Sequence, residues 1–274
     1  MKKILFVCDG DNFPAGAFEF IKLLRQQEPI WVKGFFFNPI NFQQLVSISY
    51  IPVSEPYTKL KDKEKRIVTA SRDQFASLCQ TNNIRFHSDE KVWEWDRESF
   101  VRETRFADLV VIGDQLFCSG MLRDQPNYFM QEALHAAECP VLIVPEKFIS
   151  IDRMVVAYDG KRESVFALKQ FCYLFPKFTD LPTEFVFVKE EPTNEVPDVD
   201  LLKEYSCLHF NSLHVSKLHF DAKKHFSTWL ADKKNVLLMS GSFSRSLLSN
   251  TFRKSFSDAV IRDLKIPIFI AHHP

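Results

Sequence analysis

Two short stretches carry residue types able to hold a ligand. Asp9 and Asp159 each follow an apolar run and precede a glycine, within Val-Cys-Asp-Gly-Asp (residues 7–11) and Val-Val-Ala-Tyr-Asp-Gly (residues 155–160). A carboxylate there can accept from the hydroxyl groups of a ligand, or simply end a buried strand and cap the next turn. Further along, Gly113 and Gly241 each close a second apolar run. The second of these glycines opens a loop rich in donors and cations. Ser240, Ser242, Ser244, Ser246 and Ser249 stand with Arg245, Arg253 and Lys254, and Ser255 follows. Hydroxyl groups, cations and a backbone unobstructed at glycine are what an anion needs, above all where the loop runs into a helix start. A solvated helix start would use the same residues.

Other candidates are weaker. Cys207, His209, His214 and His219 lie close together in sequence but match no zinc spacing. His214 and His219 are an odd number of positions apart, so on one strand they face opposite sides. No metal is expected. His272 and His273 read as a frayed end. Nucleophile elbow, Walker loop and HExxH patterns are all missing from the sequence. The six cysteines, Cys8, Cys79, Cys118, Cys139, Cys172 and Cys207, form no CxxC pair and read as buried free thiols of a reducing compartment.

The 274 residues suffice for one large domain or two ordinary ones. Lys+Arg and Asp+Glu are both 35, which argues against a general nucleic-acid or membrane-surface binder. No apolar run approaches the ~20 residues of a membrane span, and residues 4–7 are too short for a signal sequence. The expectation is a cytoplasmic protein with neither nucleic acid nor membrane as partner. Phe is 28, implying bulky packing between layers, whereas Gly is only 7, which limits any glycine-rich phosphate cradle.

The elements that must position these residues follow from periodicity. Residues 3–8 read as a buried parallel strand, residues 15–27 as an amphipathic helix and residues 30–37 as a second strand. Residues 40–57, with Pro52 and Pro56, read as loop with one helical turn. A long charged helix is predicted over residues 60–82, a weak strand over 84–87, and a helix capped by Asp96 up to Ala107. Residues 109–112, 128–137 and 141–144 give strand, helix and strand. The order then restarts: strand at 153–158, helix at 163–175, strand at 184–188, short helix at 199–207, strand at 213–218, helix at 222–232 and strand at 236–239.

The spacing supports a duplication. Gly113 to Pro140 is 27 positions and Gly241 to Pro267 is 26, whereas Asp9 to Gly113 is 104 and Asp159 to Gly241 is 82. The ends of the two halves match, and the difference of 22 lies in the middle. The chain is therefore read as α/β, with two Rossmann-like five-stranded parallel-sheet domains in tandem over residues 1–147 and 151–274, related by a pseudo-two-fold axis.

An Asp-Gly after the first strand, a glycine after the fourth and a Pro-led fifth strand, all repeated, resemble the universal stress protein family in its tandem, two-domain form. The resembling residues are 7–11, 107–113 and 139–145 in the first half, and 155–160, 235–241 and 266–272 in the second. The resemblance implies the adenine nucleotide alpha hydrolase-like fold and a G-x2-G-x9-G-[ST] phosphate motif after the fourth strand. That motif is degenerate here. In the first half Gly113 fits, but Leu116 and the pair Pro126-Asn127 replace later positions, and Asp114 and Asp124 would repel phosphate. In the second half Gly241 and Ser255 fit, while Ser244 and Lys254 stand where glycines are expected. The nucleotide site implied by the resemblance thus comprises Asp159, Val188, Gly241, Ser242, Ser244, Lys254 and Ser255, with Asp9 and Gly113 as its degenerate counterpart.

The resemblance also implies that the fifth strands, Val141–Val144 and the run from Ile268 to Ile270, pair across the two-fold, and it is compatible with a homodimer. Its functional expectation is a non-catalytic stress-response or regulatory protein, with ATP or another adenine nucleotide as the one candidate ligand. A ligand-free interaction scaffold is the alternative, and a weak nucleotide hydrolase ranks third because no general base or metal-binding set is apparent.

Overall fold

A computed structural model describes residues 1–9, 12–38, 55–89, 93–94, 96–115, 128–187, 196–217, 222–241 and 265–271. Short Val-, Ile-, Leu- and Phe-rich runs bounded by Gly, Pro or Asp form the inner strands, as their burial on both faces requires. In chain order the elements are β1 (Lys2–Cys8), α1 (Ala15–Gln27), β2 (Ile30–Asn38), α2 (Glu55–Thr81), β3 (Arg85–Ser88), β4 (Trp93–Glu94), α3 (Arg97–Arg105), β5 (Leu109–Gly113), α4 (Tyr128–Ala136) and β6 (Val141–Val144). The second series is β7 (Arg153–Tyr158), α5 (Arg162–Leu174), a 3-10 turn (Phe178–Asp180), β8 (Thr183–Phe187), α6 (Val199–Cys207), β9 (Leu213–Lys217), α7 (Ala222–Ala231), β10 (Val236–Gly241) and β11 (Ile268–Ala271).

One sheet runs through the described chain in the order β3-β2-β1-β5-β6-β11-β10-β7-β8-β9, and β4 pairs with β2 off this path. Outward from its centre, the order is the same on both sides, which makes the duplication visible in the topology. Every pairing is parallel except β6 with β11, where Ile143 faces Ile268 and Val141 faces Ile270 in antiparallel register. The antiparallel ladder removes two apolar edges at once.

Two apolar layers flank the sheet. On one face α1, α2 and α5 cover Ile4, Phe6, Val32, Val111, Val156, Phe185 and Met239, and this layer is continuous across both halves. Phe20 of α1 lies 5.3 Å, centroid to centroid, from Phe148, and 6.1 Å from Phe178. On the other face α3, α4 and α7 cover Leu5, Val7, Phe35, Val110, Val155 and Leu238. The buried phenylalanines among the described residues therefore pack between layers, as expected.

The Asp96 carboxylate caps α3, accepting from the backbone N–H of Glu98 and of Ser99 at 3.3 and 2.9 Å. Three departures from the sequence reading have physical reasons. Helix α2 begins at Glu55, earlier than predicted, because Pro56 falls in its first turn, where proline is tolerated. Strand β4 is only two residues long and adds a rung beside Phe37 and Asn38, too short to leave a periodic signal. Cys207 is exposed at the end of α6, unlike buried Cys8, Cys79 and Cys172, because the helix buries the face of Leu202 and Ser206 instead. Among the described residues, no helix is long and apolar enough to cross a membrane.

Candidate ligand crevice at the strand carboxyl ends

Strand β1 lies between β2 and β5, and β7 lies between β8 and β10. The chain leaves these central strands in opposite lateral directions, so a crevice opens above each pair of strand ends, where ligands of open α/β sheets bind. The pairing of Val7 with Ile112 sets Cys8 level with Gly113 and Asp9 level with Asp114. The pairing of Ala157 with Ser240 sets Tyr158 level with Gly241 in the same way, and Asp159 is the next residue. Of the predicted nucleotide-site residues, Val188, Ser242, Ser244, Lys254 and Ser255 lie outside the described residues.

The two glycines share a role that the sequence does not disclose. A Cβ at Gly113 would lie 2.6 Å from Pro14 Cβ and 2.3 Å from Gln115 Oε1. A Cβ at Gly241 would lie 2.4 Å from the backbone nitrogen of Ser164 and 2.6 Å from the carbonyl carbon of Glu163. Pro14 stands five residues after Asp9 and Ser164 five after Asp159. Each half thus presses the start of its first helix onto the glycine that ends its fourth strand. Close helix–strand packing alone accounts for a glycine at both places, whether or not phosphate binds. Only the contacting residues are equidistant from the two aspartates, since the helices begin at Ala15 and Arg162, six and three positions on, and the contact itself joins residues far apart in sequence.

Beside the first crevice, the described residues are committed to contacts within the chain. Asp9 is buried. Phe13 enters the aromatic layer, 5.5 Å from the Phe6 ring and 6.0 Å from that of Phe18. Asp114, also buried, accepts from the Glu146 N–H at 3.0 Å, while its own N–H donates to the Val144 carbonyl at 2.9 Å. Its second oxygen is 3.8 Å from Lys265 Nζ, across the β6–β11 seam. Burial pushes the Asp114 carboxyl above the usual range, against the opposing pull of Lys265 and of the Glu146 N–H. A carboxyl raised on folding favours the folded protein most at low pH, and that contribution is lost as pH rises through its folded pKa. Asp114→Asn keeps an acceptor for Glu146 and removes the charge. We expect it to raise the melting temperature at pH 7 and to leave it unchanged near pH 3, read by thermal unfolding at both pH values.

The second crevice differs. Asp159 is part-exposed, and its Oδ1 accepts from the Lys161 N–H at 3.1 Å. It therefore caps its own turn, one of the two roles open to it from the sequence. Lys161 and Arg162 follow at the start of α5. Gly160 has φ +76° and its open face is covered by the Pro197 ring. Elsewhere, Cys207 is exposed at the end of α6 and His214 lies in β9. Among the described residues no group of three or more His, Cys, Asp or Glu is placed to hold a metal.

No protein-family model and no curated protein matches the sequence. Solved structures do match the fold. A universal stress protein from Archaeoglobus fulgidus DSM 4304 superposes with a TM-score of 0.75 at 16% identity, covering 99% of this chain and 96% of that one. A putative universal stress protein from Pseudomonas aeruginosa UCBPP-PA14 gives 0.59 at 13%, over 99% and 93%. A protein of unknown function from Pseudomonas aeruginosa PAO1 gives 0.58 at 12%, over 99% and 92%. The chain has the fold of the universal stress proteins, and the match runs over nearly its whole length.

Proposed function

We propose that this chain is a non-catalytic stress-response regulator of the universal stress type that binds an adenine nucleotide in its second half only. The observation that carries the proposal is the inequality of the two crevices. The first contains two buried carboxylates, Asp9 and Asp114, and the second of these is locked onto the Glu146 N–H. Buried carboxylates repel phosphate. In the second, the carboxylate is part-exposed, Lys161 and Arg162 stand at the helix start, and the sequence supplies Ser242, Ser244, Lys254 and Ser255. In this reading Asp159 faces the ribose, and the base lies beyond the end of β8 near Val188. Ser242, Ser244, Lys254 and Ser255 hold the phosphates in the loop that Gly241 opens.

The test is calorimetric. Lys254→Glu is expected to weaken ATP binding about tenfold or more, since it turns an attraction to phosphate into a repulsion of similar size. Asp9→Asn is expected to leave binding unchanged. Equal loss in both variants would show that the crevices had been assigned wrongly.

A ligand-free scaffold is the second reading, and one feature favours it. Tyr173, Leu201 and Leu208 are exposed apolar side chains on or beside α5 and α6. Binding of ATP by the wild-type protein separates the two.

A further inference from the structure

The turn that carries Asp159 is held down from outside. The Tyr158 side chain is buried, and its hydroxyl donates to the Pro197 carbonyl at 3.0 Å, bridging 39 positions of sequence. The Pro197 ring then rests on Gly160. A Cβ there would come within 2.8 Å of Pro197 Cγ and 3.0 Å of its Cβ, so only glycine leaves room for the ring. Val196 packs against the apolar layer beneath. Asp198, with φ +52°, turns the chain directly into α6, where its carbonyl accepts from the Leu202 N–H at 2.8 Å. Left-handed backbone is unfavourable for most residues but accessible to aspartate.

We propose that Tyr158 and Pro197 form a latch over the Asp159–Gly160 turn, and that the latch must open before a ligand can use the second crevice. This rests on the nucleotide reading above, in which the ligand lies against that turn. The first half has a different residue at the matching place. Cys8 occupies the position before Asp9 that Tyr158 occupies before Asp159, and its thiol faces the Asn12 carbonyl at 4.0 Å. Burial, then the Asp198 and Asp159 carboxylates, pushes the Tyr158 phenol up, so the hydroxyl remains a donor well into the alkaline range. The latch therefore opens by exchange of its hydrogen bond and not by titration.

Tyr158→Phe keeps the ring and removes the bond. A bond of this kind changes an equilibrium by roughly fivefold. Hydrogen exchange on the full chain should then speed up about fivefold at the Lys161 and Leu202 amides, which report the turn and the start of α6. The amide of Val156, within β7, should not change, which separates latch opening from general destabilisation. Calorimetry with ATP should give a dissociation constant about fivefold lower, because apparent affinity follows the fraction of competent protein. Unchanged exchange at Lys161 and Leu202 would overturn the latch. Faster exchange with unchanged ATP affinity would overturn its guarding role. If neither protein binds ATP, the nucleotide reading fails by itself, and the latch is decided by the exchange rates alone.

Discussion

Replacing Phe75 by alanine is expected to destabilise the protein by about 4 kcal/mol, the upper range for deleting a buried aromatic ring. Phe75 belongs to α2, is fully buried, and stands where the helices of one face meet the first three strands. Its ring stacks on Phe6 of β1 at 5.2 Å and meets Phe18 of α1 edge-on at 6.2 Å. It also meets Phe36 of β2 at 5.5 Å and Phe86 of β3 at 5.7 Å. Removing it takes a partner from four rings at once, and none of them can fill the space without leaving its own contacts. Urea unfolding measures the loss through the midpoint. Phe106→Ala is the control: Phe106 is 69% exposed, and its loss should shift stability by less than about 0.5 kcal/mol.

The second large effect is expected at Gly241. A side chain there meets the backbone of Glu163 and Ser164, which cannot rotate away as a flexible side chain would. Gly241→Val should cost about 3 kcal/mol, the upper end of the usual range for overpacking. At Gly113 one of the two close neighbours is the tip of Gln115, which can move, so Gly113→Ala should cost less. The same urea measurement ranks them. Loss of ligand binding in Gly241→Val would therefore report a displaced α5 as readily as a lost phosphate contact. Lys254→Glu is the cleaner probe of phosphate.

Much of the fold is legible in the sequence because its strands are short apolar runs fenced by Pro, Gly and Asp. Val141–Val144 and Arg153–Tyr158 have the bounds that such fences predict. The duplication can be read because the spacing from the fourth-strand glycine to the fifth-strand proline survives in both halves. The start of α2 cannot, because Pro56 signals a loop and a first helical turn equally well. The crevices are legible only in part. Asp9, Gly113, Asp159 and Gly241 stand out by their places after apolar runs. Pro14, Ser164 and Pro197 do not, because each acts through a contact with a residue distant in sequence. By sequence the glycines are remnants of a phosphate motif. Their immediate neighbours show that helix packing requires them in any case, so their persistence carries no information on binding. What distinguishes the halves is charge: Asp114 buried and committed in one, Lys161 and Arg162 beside a part-exposed Asp159 in the other.

That distinction is tested most directly by the stoichiometry of ATP binding to the full chain, measured by titration calorimetry with and without magnesium. One site per chain is the predicted result. Two sites, or no heat at millimolar nucleotide, would contradict a nucleotide site confined to the second half.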